Sequence, residues 1–67
     1  MMFTFTDAHN KQLMRGDVFR LIGRTTEFVV TQLYMAAGDI PAVVGWSVDG
    51  KYTTTARTAD VILLREC

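Results

Sequence analysis

The chain has 67 residues, 49% of them hydrophobic, with seven basic and seven acidic side chains and no net charge. That composition argues against a disordered chain and removes the electrostatic signature of a general nucleic-acid binder. A single cysteine, Cys67, excludes an intrachain disulfide and any metal site built on two thiolates.

The length suits one domain spanning residues 1–67, close to the smallest that a hydrophobic core alone can hold. Residues 2–6, Met-Phe-Thr-Phe-Thr, alternate and predict a short N-terminal edge strand, with Phe3 and Phe5 on one face. The N-terminus lacks the basic leader and long apolar run of a signal peptide. No stretch approaches the roughly 20 apolar residues of a membrane helix. A soluble cytoplasmic protein, with no membrane partner, is the expectation. Residues 7–12 are polar and read as a loop.

Arg15-Gly16-Asp17 marks a turn into a strand over residues 18–22, with Phe19 and Leu21 inward and Arg20 outward. Residues 23–26 are a polar connector. Residues 27–35 form the longest strand candidate and are apolar on both faces. A bulge near Thr31-Gln32 would switch the inward face midway. Residues 36–41 read as a loop, with Pro41 before or at the start of the next strand.

Residues 42–57 predict a β-hairpin around the only tryptophan, with its turn at Asp49-Gly50. Two registers are open. A two-residue loop sets Trp46 opposite Thr53. A three-residue loop sets Trp46 opposite Tyr52 and Val44 opposite Thr54. The second gathers the apolar side chains on one face and is preferred. It leaves Gly45, Ser47, Lys51, Thr53, Thr55 and Arg57 facing water. A tight helical turn follows at residues 58–60, then a short strand over residues 61–64.

The fold class expected from this order is all-β: a small SH3-like barrel of five to six short antiparallel strands. Three segments carry a family likeness. Gly16-Asp17-Val18-Phe19-Arg20-Leu21 looks like the opening of many such barrels. Val44-Gly45-Trp46 with Asp49-Gly50-Lys51, and Ala59-Asp60-Val61-Ile62-Leu63-Leu64, resemble the tryptophan hairpin and closing strand of the YodC-like family of short bacterial proteins. The resemblance covers residues 15–64. It implies the barrel fold and no particular activity.

No cluster of residues specifies a reaction, and no cofactor or metal is expected. His9 sits alone in a polar loop, and the isolated turn acids Asp39, Asp49 and Asp60 lack metal-ligand spacing. Plasmid-type dihydrofolate reductases are SH3-like chains of similar size that rest on a Gln-Ile-Tyr segment. Thr53-Thr54-Thr55-Ala56 stands here instead, so a non-enzyme is the expectation.

Two binding readings remain. The first is protein interaction, through a homodimer or another protein, with Phe3, Phe5, Tyr34, Met35, Trp46 and Tyr52 as the contact set. A phage or mobile-element product acting on a host protein is one version of it. The ordinary alternative for Trp46 is that it fills the barrel core. The second is a nucleic-acid-binding barrel using Arg20, Lys51 and Arg57 with an exposed aromatic. The ordinary alternative for those cations is a solvated face balanced by acids.

Overall fold

The computed structural model describes residues 4–67. Met2 and Phe3, two of the five residues of the predicted N-terminal strand, lie outside the described residues. Five antiparallel strands follow one another: β1 Val18–Leu21, β2 Glu27–Ala36, β3 Ile40–Ser47, β4 Thr53–Arg57 and β5 Val61–Arg65. They form one sheet in the order β4-β3-β2-β1-β5. A 3-10 turn, Thr58–Asp60, joins β4 to β5.

The all-β expectation holds, and so do the helical turn and the strand that follows it. The barrel expectation is corrected. The sheet curls far enough for a three-residue turn to connect its two edge strands, but no ladder joins β4 to β5. The reason lies in residues 5–13, which form an arm rather than a strand. Within it Leu13 N–H donates to the Phe5 carbonyl at 2.7 Å, and Thr6 and Gln12 make an isolated bridge. The arm lies along the free edge of β5. Ala8 N–H donates to the Val61 carbonyl at 2.9 Å, and Leu63 N–H donates to the Asp7 carboxylate at 2.7 Å. Backbone groups that would close the barrel are therefore already satisfied.

The core gathers Leu13, Phe19, Phe28, Val30, Val43 and Val61, with Leu21, Leu33, Ala56 and Leu63 packed against it. Phe19 is opposite Phe28 in the β1–β2 ladder, and their rings stack with centroids 5.7 Å apart. The expected bulge in β2 is present. The β2–β3 register shifts between Val30 and Gln32, and the Thr31 hydroxyl donates to the Val44 carbonyl at 3.1 Å. Phe28 and Val30 face the core before the bulge and Leu33 after it, so one strand serves two parities.

The hairpin register is the second correction. Trp46 is opposite Thr53, Val44 opposite Thr55 and Val43 opposite Ala56. The face is inverted relative to the preferred reading: Val43, Gly45 and Ser47 are buried, and Trp46 points outward. Two features explain this. A Cβ on Gly45 would stand 2.7 Å from two carbons of the Phe19 ring, so only glycine fits on the inner side of β3 there. Beyond it, buried Ser47 organises the turn. Its hydroxyl donates to Asp49 Oδ1 at 2.6 Å and accepts the N–H groups of Lys51 and Tyr52 at 3.0 and 2.9 Å. Gly50, at φ 78°, closes the turn by donating to the Ser47 carbonyl at 2.8 Å.

Candidate functional site

The outer face of the sheet carries a row of side chains fixed by the ladders. Thr53 on β4 is beside Trp46 on β3, Trp46 beside Val29 on β2, and Val29 beside Val18 on β1. Arg65 on β5 ends the row opposite Val18. A second row sets Thr55, Val44 and Gln32 side by side, and a third sets Arg57, Ala42 and Tyr34. Trp46 is 49% exposed, so a large indole stands half-solvated among aliphatic neighbours. The patch is bounded on one side by the Arg65–Glu27 ion pair at 2.9 Å and on the other by the threonines of β4.

The core alternative for Trp46 therefore does not hold. Nor does the pairing of Trp46 with Tyr52. Tyr52 is 62% exposed, but it shares its parity with Thr54 and Ala56, whose side chains lie on the inner face. Tyr34 is half-buried on the same outer face as Trp46, two ladder positions away. Met35 follows the bulge onto the inner parity, and Phe5 is half-buried in the N-terminal arm. Of the expected contact set, the outer face brings together Trp46 and Tyr34. Val44 lies between them and Val29 and Val18 continue the Trp46 row; none of the three was foreseen as a site residue. Strand alternation alone sets Val44 on the Trp46 face, whereas Val29 and Val18 join it only through the cross-strand ladders.

The three cations of the nucleic-acid reading are dispersed. Lys51 is in the hairpin loop and Arg57 at the far end of β4, about 20 Å apart at about 3.3 Å per residue. Arg57 donates to Asp60 at 2.9 Å. Arg20 is on β1, separated from β4 in the sheet by β2 and β3, and donates to the carbonyls of Leu21 and Arg24.

Two carboxylates are buried and fully used. Asp7 accepts the N–H groups of His9, Lys11 and Leu63. Burial alone would raise its pKa. The hydrogen bonds from Leu63, Lys11 and His9, with the charge of His9, outweigh that and hold it below the ordinary aspartate value. Asp17 accepts the N–H groups of Met14 at 2.9 Å and Cys67 at 2.8 Å. Among the described residues no three His, Cys, Asp or Glu side chains converge as metal ligands. An open cleft of about 490 Å³ lies between the arm and β5, lined by Lys11, Gln12, Leu63, Leu64, Arg65 and Glu66. No helix among the described residues is long and apolar enough to cross a membrane.

No family model, curated protein or solved structure matches this chain.

Proposed function

We propose that this chain is a non-enzymatic protein-interaction module whose docking surface is the outer face of β2 and β3 around Trp46. The observation that carries the reading is the half-exposed indole, flanked by Val29 and Val44 on a chain with no net charge. Exposed aromatics set among aliphatic groups with a polar rim have the make-up of the few residues that dominate protein interfaces. The likeness to YodC-like barrels and a cytoplasmic setting belong to the same reading. So does a phage or mobile-element origin with a host protein as target. The dispersed cations give the nucleic-acid alternative no comparable support.

The test is affinity capture from cell lysate, with and without nuclease, using the native chain and Trp46→Glu. A protein that survives nuclease and is lost with Trp46→Glu supports the reading. Capture of nucleic acid, or protein capture undiminished by Trp46→Glu, overturns it.

A further inference from the structure

The two edges of the sheet differ. The free edge of β5 is covered by Ala8 and by the Asp7 carboxylate. The free edge of β4 has no such cover among the described residues. Ser47 N–H donates to the Tyr52 carbonyl at 2.7 Å. By the alternation of an antiparallel ladder, Thr54 and Ala56 then aim their backbone groups at β3, while Thr53, Thr55 and Arg57 aim theirs away from the sheet. This edge has no proline, glycine or bulge, the usual devices against strand addition. Its one charge, Arg57, is drawn aside to Asp60.

We propose that β4 pairs with β4 of a second copy, antiparallel about Thr55. In that register Thr55 faces Thr55, and Thr53 faces Arg57 of the second copy. All three outward-facing residues of each edge then find backbone partners, and no like charges are opposed. Sliding the pair toward the hairpin loop would set Lys51 against Arg57, and sliding it the other way would leave Thr53 unpaired. The β5 edge cannot take the place of the second β4, because residues 7 and 8 already cover it. Head-to-tail growth is therefore blocked, and the contact closes at two copies. The chain's neutrality removes long-range repulsion between them. The pairing also extends the Trp46 row: Arg57 of the second copy lies next to Thr53, two strand spacings or about 10 Å from the Trp46 backbone.

The dimer does not depend on the Trp46 face binding any other protein. Sedimentation equilibrium up to about 1 mM, where even weak pairs are populated, tests it on the native chain, Thr55→Pro and Thr55→Lys. Thr55→Pro removes an outward N–H that β3 does not use. Thr55→Lys opposes two like charges across the two-fold axis on an exposed position. The expected result is twice the mass of one chain for the native protein and a tenfold or greater loss of association in Thr55→Lys, with the native circular dichroism spectrum kept. A native chain that stays monomeric overturns the proposal. So does a dimer that both variants leave intact. A monomer that still captures a protein through Trp46 would refute the dimer and leave the proposed function standing.

Discussion

The carboxylate of Asp7 accepts the backbone N–H of Leu63 at 2.7 Å, tying the N-terminal arm to the last strand across 56 positions of sequence. Asp7 also accepts from His9 and Lys11, so one buried side chain both shapes the arm and docks it. Asp7→Asn would point an amide donor at N–H groups that need an acceptor. The expected loss is about 2 kcal/mol at neutral pH, the usual cost of leaving a buried donor unpaired. Urea denaturation measures it.

The same contact sets an acid limit. The Asp7 pKa is lowered on folding, so its stabilisation is fully present above the unfolded value of about 3.9. It disappears as pH falls through the lower folded value. The stability gap between the native chain and Asp7→Asn should therefore be open at pH 7 and shrink steadily in acid. A gap of constant size in urea melts across that range would show that the carboxylate charge is not its source.

Gly45→Ala should destabilise the fold by about 1–3 kcal/mol, the ordinary cost of overpacking a core. The added Cβ would stand 2.7 Å from the fully buried Phe19 ring and 3.0 Å from the Val29 carbonyl, neither of which has room to retreat. Thermal unfolding by circular dichroism checks this. A melting temperature within a degree or so of the native value would mean that the ring yields freely.

Ser47→Ala removes the hydroxyl that receives Lys51 and Tyr52 and donates to Asp49. Stability should fall by about 1–2 kcal/mol. The Asp49 carboxyl is held low first by that hydroxyl and then by Lys51 N–H, so its titration should move up toward the ordinary aspartate value. A carboxyl-detected NMR titration reads the change directly.

Arg57→Ala should leave stability within about 0.5 kcal/mol, since its pair with Asp60 is 64% and 47% exposed and solvent screens it. A larger loss in chemical denaturation would mean that Arg57 packs against the sheet as well as pairing.

Much of the strand plan was legible because it rests on local signals. Asp49-Gly50 marks the hairpin turn, Thr31-Gln32 marks the bulge, and residues 58–60 make the helical turn where expected. What could not be read locally was which face of the hairpin is buried. Counting apolar side chains favoured Trp46 inward. The outcome is decided instead by Phe19, distant in sequence, whose ring fills the space above Gly45. The arm was missed for a similar reason. Asp7 reads as a loop acid until Leu63 is brought beside it, and Leu13 shows no alternation yet is buried against the core. The candidate site was half legible: Tyr34 and Trp46 carried visible aromatic signals and alternation set Val44 on the Trp46 face, while Val18 and Val29 join them only through the ladder.

The Asp7–Leu63 tie also bears on the order of events in folding. Joining positions 7 and 63 closes nearly the whole chain into a loop, which costs the most entropy when little else is formed. The β2–β3 hairpin closes a far shorter loop, through residues 37–39. The arm should therefore dock after the rate-limiting step, when the sheet already holds both ends of the tie near one another. Asp7→Asn would then leave the refolding rate almost unchanged and raise the unfolding rate by nearly the full equilibrium effect. The arm's contribution is to how long the native state lasts once formed, and the meander sets how fast it is reached.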